Sequence, residues 1–204
     1  MFMLIRCIIG ALLFLTGIFL IKRSKIHGRR LAYVISTSLS MIITVSLAFL
    51  PFENLFLTFD SPEKAYEYVN SSHGEISLVV SGDHSDFVLS EKDDAKTYLI
   101  VPKAANGWKV GRGIDTKKIA YKFVNGISVS VYQYKNTGDY FVYVLDTSGG
   151  ASQITDSKQS DFYSLENNSN LLDKTFVSYY AHISNFDSQY WVIVNGIQII
   201  PLSN

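Results

Sequence analysis

The chain has 204 residues, of which 48% are hydrophobic and 18% are charged, and its mean hydropathy is +0.15. A single cysteine, Cys7, excludes an internal disulfide framework and a zinc site built on thiolates. The net charge of zero conceals six basic and no acidic residues up to Phe52, followed by 12 basic and 18 acidic residues. This asymmetry is typical of membrane topology and argues against nucleic acid as a partner, because the larger part is acidic.

Two apolar stretches, 1–21 and 31–52, predict a transmembrane hairpin that would place the chain in the lipid bilayer. The first stretch is apolar all round except for Arg6, and its 21 residues would extend about 31 Å as a helix, close to the ~30 Å hydrocarbon core. The second stretch is uncharged over 22 residues. The connector, 22–30, is short enough to force an antiparallel pair. Its basic residues are Lys22, Arg23, Lys25, Arg29 and Arg30. By the positive-inside rule we expect a cytoplasmic connector and a two-span protein of the cell membrane with both termini extracytoplasmic.

The second stretch leaves two alternatives open. Its small-x-small ending at Ala48 fits a signal-peptidase site, although its apolar length favours a retained anchor. Its many serines and threonines could instead contact a partner helix, as in a small immunity-like or complex-stabilising membrane protein. Residues 53–59 are predicted to be a juxtamembrane linker, and 60–204 an extracytoplasmic domain.

The predicted domain is mostly antiparallel β structure, an α+β fold with one short helix at its start. Ser61 and Pro62 supply an N-cap and a first-turn proline, which predict a helix over 62–70. After Gly74 the apolar period changes to two. The predicted strands are 76–80, 87–90, 97–101, 119–124, 127–134, 140–145, 176–183, 190–194 and 197–200. A further strand or short helix is expected near Ile154 or within 162–165.

Two Asn-Gly pairs, 125–126 and 195–196, each separate two β-rich runs. Asn-Gly accepts the positive φ angles of a two-residue hairpin turn, so both pairs predict tight hairpins. Because Ile127, Val129 and Val131 alternate with serines, we expect one face of this strand to be buried and the other wet. The repeated Val-Asn-Gly-Ile suggests a duplicated hairpin unit.

The run Ser-Pro-Glu-Lys-Ala at 61–65, followed by Asn-Gly-Trp-Lys at 106–109, resembles uncharacterised membrane-anchored exported β-domain proteins of Gram-positive bacteria. The resemblance covers residues 61–112. It implies a location outside the cell and a β-rich fold, and it carries no catalytic residue over to this chain.

Asp83, His84 and Asp86 form the densest group of metal-binding or acid-base side chains. Aspartate and glycine are also what a solvated turn requires, so the turn is the preferred interpretation over a metal site. A cell-envelope hydrolase that uses His84 or His182 with neighbouring carboxylates is the enzymatic alternative. The sequence shows no coherent catalytic set, and no cofactor is expected.

The predicted domain is rich in tyrosine, which cross-strand packing would explain. Alternatively, tyrosines form an exposed surface that binds another envelope protein or a cell-wall glycan, since tyrosine combines a large contact area with a polar tip. The candidates are Tyr132, Tyr134, Tyr179 and Tyr180. The sequence-based hypothesis is therefore an integral membrane protein that displays an extracytoplasmic binding, sensing or accessory module.

Overall fold

A computed structural model describes residues 2–23, 29–49, 52–72, 74–93, 95–148, 152–169 and 174–203. The chain divides into two compact units, Met1–Leu57 and Thr58–Asn204. We call them the helical unit and the β unit. Each unit is described by itself below.

The helical unit contains α1 (Phe2–Arg23), α2 (Arg29–Phe49) and a 3-10 turn at Phe52–Leu55. Glycines allow α1 and α2 to pack closely. A Cβ added to Gly10 would lie 2.6 Å from Oγ1 of Thr44, and one added to Gly17 would lie 2.4 Å from Oγ of Ser36. The hydroxyl of Thr44 is already bonded to the carbonyl of Ser40 within its own helix. Small residues at a helix contact permit such an approach.

No helix in the described part of the chain is both long and apolar enough to cross a membrane. This finding overturns the predicted transmembrane hairpin at 1–21 and 31–52, and with it the two-span cell-membrane topology and the displayed extracytoplasmic module.

The basic residues chosen as topology determinants lie at the helix ends where they are described. Lys22 and Arg23 close α1, while Arg29 and Arg30 open α2. Lys25 and the connector centre lie outside the described residues. The potential cleavage site at Ala48 falls in the last turn of α2.

The β unit opens with α3 (Pro62–Val69), where Ser61 accepts a hydrogen bond from the backbone N–H of Lys64. An antiparallel four-stranded sheet, sheet A, follows in the order β1-β2-β3-β4. Its strands are β1 (Glu75–Ser81), β2 (Ser85–Lys92), β3 (Ala95–Ala104) and β4 (Gly107–Trp108). Helix α3 packs on one face of sheet A, where the buried Tyr66 hydroxyl lies 2.6 Å from Oγ of Ser90.

The largest sheet, sheet B, has six strands in the order β13-β5-β6-β7-β10-β9. They are β5 (Thr116–Val124), β6 (Ile127–Tyr134), β7 (Tyr140–Asp146), β9 (Tyr163–Ser169), β10 (Lys174–Ile183) and β13 (Leu202–Ser203). A 3-10 turn at Gly113–Asp115 precedes β5. Asn125 and Gly126 connect β5 and β6 with φ angles of 51° and 81°, as the sequence predicts for a hairpin.

Sheet C pairs β8 (Ile154–Asp156), β11 (Val192–Val194) and β12 (Ile197–Ile199). It packs on one face of sheet B in the largest hydrophobic cluster, which includes Val129, Val144 and Val192. The opposite face of sheet B meets sheet A through a second cluster, which includes Phe87, Ile100 and Tyr180. Sheet B therefore has packing partners on both faces.

Two polar side chains that the sequence analysis expected to meet water are buried instead. Ser130 was expected to face water, but it is only 3% exposed because its side of β6 faces the cluster with sheet A. Asp86 was assigned to a solvated turn, yet it is buried at the start of β2. Polar side chains therefore lie inside the β unit as well as on its turns.

Candidate functional site

The three side chains proposed as weak metal ligands do not form a group. Asp86 is buried on β2, where it forms an ion pair with Lys103 at 3.0 Å. Asp83 and His84 are exposed in the turn between β1 and β2. Asp83 instead lies near two residues distant in sequence, Asp139 and His182.

Asp139 is the centre of that arrangement and is completely buried. Its Oδ1 accepts the backbone N–H of Asp83 at 2.9 Å and Nε2 of His182 at 3.0 Å. Its Oδ2 accepts the backbone N–H of His84 at 2.8 Å and the hydroxyl of Ser85 at 2.7 Å. Four donors therefore occupy the four lone-pair positions of this carboxylate.

The four bonds make this group a structural clamp. Burial raises the pKa of Asp139, but the bonds from His182, Ser85 and the two backbone groups lower it more, to about 2. A metal ion at Asp139 would have to displace donors that already satisfy the carboxylate. The clamp holds the β1–β2 turn against the start of β7 and the end of β10.

The same geometry does not provide a nucleophilic triad. In such a triad the serine hydroxyl is bonded to the histidine, which removes its proton. Here Ser85 donates to Asp139, and it is fully buried. Asp187, the carboxylate nearest to His182 in sequence, binds Lys158 at 2.8 Å. The hydrolase hypothesis therefore has no geometric support at His182.

The four candidate tyrosines occupy different environments. Tyr134 and Tyr179 are buried on opposite faces of sheet B, with Tyr134 towards sheet A and Tyr179 towards sheet C. Tyr180 is also buried, but its ring lines a cavity, and the partly exposed Tyr132 lines the same cavity. The sequence placed all four on one binding surface, whereas strand alternation divides them between two faces.

The cavity lies between the facing surfaces of sheets A and B and has a volume of about 180 Å³. We call it the tyrosine cleft. Its wall consists of Phe87, Leu89, Lys96, Tyr98, Tyr132, Tyr143 and Tyr180. Register explains this wall, because Leu89 lies opposite Tyr98 on sheet A and Tyr143 lies opposite Tyr180 on sheet B.

The aromatic rings of the cleft form a continuous contact series. Phe87 and Tyr98 stack with their ring centres 5.2 Å apart, and Tyr98 lies 5.3 Å from Tyr132 at a tilt of 57°. On sheet B the rings of Tyr143 and Tyr180 are 5.1 Å apart. These separations are typical of favourable aromatic pairs, so contacts between the rings stabilise the wall of the cleft.

Lys96 is the only cation among the residues that line the cleft. Its Nζ is buried and has no hydrogen-bond partner, and it forms a long ion pair with Glu91 at 3.9 Å. Burial lowers the pKa of Lys96, although the charge of Glu91 opposes this effect. A buried ammonium without a hydrogen bond loses solvation that a bound acceptor would restore.

The hydroxyl groups of Tyr98, Tyr143 and Tyr180 remain protonated at physiological pH, because the pKa of each is raised. Burial, and then the neighbouring Tyr132, raise the pKa of Tyr98 to about 12. Burial also raises the pKa of Tyr143 and of Tyr180. The cleft therefore offers apolar rings, neutral hydroxyl groups and one ammonium group.

Sequence reasoning did not identify Lys96 or Tyr98. Both are on β3: Tyr98 lies within the run 97–101 that was predicted to be a strand, and Lys96 directly precedes that run. Period-two alternation places them on the same face as Ile100, and this face turned out to be the inner one. That signal identifies the shared face, but it does not show which sheet packs against it.

Comparison with known proteins gives no match for this chain, whether with protein-family models, with curated proteins or with solved structures. The resemblance at 61–112 therefore stays an expectation from the sequence. The candidate site depends on its geometry alone.

Proposed function

We propose that the β unit is a carbohydrate-binding module that recognises an acidic sugar in the tyrosine cleft. The observation that carries the proposal is the buried Nζ of Lys96, which lacks a hydrogen bond within an aromatic cavity. A sugar carboxylate at this position would supply the missing acceptor as a charge-assisted hydrogen bond.

The walls favour a sugar over a purely aromatic acid. The faces of the tyrosine rings suit the C–H faces of a pyranose ring. The hydroxyl groups of Tyr98, Tyr132 and Tyr180 can both donate to and accept from sugar hydroxyl groups. A volume of about 180 Å³ is below the roughly 300 Å³ of pockets for drug-sized ligands, so it suits a single ring.

The test is calorimetric titration of the full chain with galacturonate, glucuronate and N-acetylneuraminate. We expect at least one of these acids to bind, and Lys96→Met to weaken that binding roughly 10- to 100-fold, because a hydrogen bond to a charged group contributes about 1.5–3 kcal/mol. Lys117→Met is the matched control, since Lys117 is exposed on β5 and should leave affinity unchanged.

Galactose and benzoate separate the contribution of the sugar hydroxyl groups from that of the carboxylate charge. Galactose retains the hydroxyls without the charge, and benzoate retains a charged carboxylate on a flat ring without the hydroxyls. Both should bind more weakly than the preferred sugar acid. The proposal is wrong if none of the three sugar acids binds, if benzoate binds more tightly than they do, or if Lys96→Met has no effect.

A further inference from the structure

A second cavity of about 310 Å³ adjoins the tyrosine cleft. Tyr98 and Tyr132 line both cavities, so the two spaces share a boundary formed by this ring pair. The remaining wall of the second cavity comes from Leu99, Gly113, Thr116 and Lys118. We call this space the outer subsite.

The outer subsite also contains a buried polar atom without a partner. In the described part of the chain, Lys96 Nζ and Thr116 Oγ1 are the only buried side-chain nitrogen or oxygen atoms without a hydrogen bond. One lines the tyrosine cleft and the other lines the outer subsite. Unsatisfied buried polar groups are costly, so their occurrence in two adjoining cavities points to a ligand that satisfies both.

We infer that the outer subsite binds the next sugar of the same ligand, so that the β unit recognises a short acidic oligosaccharide rather than a free monosaccharide. This inference rests on the proposed function of the tyrosine cleft. An acidic unit would bind Lys96, and a hydroxyl of the adjacent unit would bind Oγ1 of Thr116. The part of the oligosaccharide between these two groups would contact the rings of Tyr98 and Tyr132.

Charge at the outer subsite agrees with this assignment. Nζ of Lys118 lies 5.3 Å from the ring centre of Tyr121 and 5.7 Å from that of Tyr132. These cation–π contacts hold a positive charge at the subsite. From Glu53 onward, however, acidic residues exceed basic ones by 18 to 12. This excess opposes a long polyphosphate chain and favours a short ligand with few charges.

The inference is tested by comparing galacturonate with digalacturonate in calorimetric titrations of the full chain. We expect the native chain to bind the dimer at least tenfold more tightly than the monomer. Thr116→Val removes the hydroxyl group and should reduce that ratio to near one without changing monomer affinity. Thr155→Val, at an exposed position on β8, is the matched control and should retain the native ratio.

Tryptophan fluorescence during unfolding verifies that both variants fold. The inference is overturned if the native chain binds monomer and dimer equally, or if Thr116→Val weakens the binding of both sugars alike. In either case the proposed function still holds if monomer binding depends on Lys96. Binding of neither sugar overturns the inference, and it overturns the proposed function as well if glucuronate and N-acetylneuraminate also fail to bind. Preferential binding of a short oligonucleotide also overturns the inference, since it would identify a different ligand class.

Discussion

The helical unit and the β unit distribute their apolar side chains in opposite ways. In the helical unit Leu15, Phe19 and Met41 are 60%, 60% and 69% exposed, and small residues form the contact between helices. In the β unit Ile100, Val129 and Val192 are essentially inaccessible. A monomeric protein rarely exposes a large contiguous apolar surface unless that surface is an interaction site.

The β unit also buries charged side chains in its interior. Asp139, Asp146 and Asp156 are buried in the β unit, and each accepts several hydrogen bonds from loops or neighbouring strands. Buried carboxylates of this kind connect segments that are distant in sequence. The comparison indicates that the interior of the β unit relies on specific bonds, whereas the helical contact relies on close packing of small residues.

Asp139→Ala should have the largest effect on the β unit. It would leave the donors of Asp83, His84, Ser85 and His182 without their acceptor, and removing one partner of a buried charged network costs about 3–5 kcal/mol. Denaturant unfolding followed by tryptophan fluorescence reports on this unit alone, because both tryptophans, Trp108 and Trp191, lie in it. Asp187→Ala, at an exposed ion pair, should leave the midpoint nearly unchanged.

A matched pair of apolar truncations tests the comparison directly. Ile100→Ala in the β unit should reduce the free energy of unfolding by about 2–5 kcal/mol, because it leaves a cavity in a buried core. Leu39→Ala in α2, where the side chain is 55% exposed, should change helical circular dichroism and unfolding little. Comparable losses from both variants would contradict the contrast between the units.

Acid should weaken the Asp139 clamp in a defined range. The pKa of Asp139 is lowered from 3.8 to about 2, so the folded state binds the proton less readily than the unfolded state. Its contribution, about 2 kcal/mol, is present above pH 3.8 and is lost as the pH falls towards 2. The native chain should therefore lose more stability over this range than Asp139→Asn. Parallel slopes would exclude the clamp as the cause.

A cross-link tests the helical contact with the least disturbance to the β unit. A Cβ on Gly17 would lie 3.8 Å from Cβ of Ser36, which is a suitable distance for a disulfide. In a Cys7→Ser background, Gly17→Cys with Ser36→Cys should oxidise to an intramolecular disulfide with unchanged tryptophan fluorescence. Gly17→Cys with Ile35→Cys is the control, because Ile35 is 58% exposed and should not cross-link.

The sequence predicted local structure in the β unit well. Helix α3 and the strand from Ile127 to Tyr134 follow from a capping residue, a proline and an Asn-Gly turn, all of which act within a few residues. The apolar period of two correctly placed Val129 and Val131 in the core. These signals depend on neighbours in the chain and need no knowledge of the rest of the fold.

The candidate site could not be predicted in the same way. Lys96 and Tyr180 come together because sheets A and B pack face to face, and no local pattern specifies that packing. The pairing of Asp139 with the turn at Asp83 spans 56 residues for the same reason. The prediction of membrane spans relied on apolar composition, stretch length and the basic connector, and these signals do not show what surrounds a helix.

The Asn-Gly turns at 125–126 and 195–196 differ in their susceptibility to chemical ageing. Spontaneous deamidation of asparagine begins when the following backbone nitrogen attacks the side-chain amide, and a glycine at that position offers little obstruction. The amide of Asn195 is held by the N–H of Gln153 at 3.0 Å and by Oγ of Ser152 at 3.0 Å. The tip at Asn125 is exposed, and no described side-chain hydrogen bond restrains it. Stored protein will therefore acquire isoaspartate at the β5–β6 turn sooner than at the β11–β12 turn.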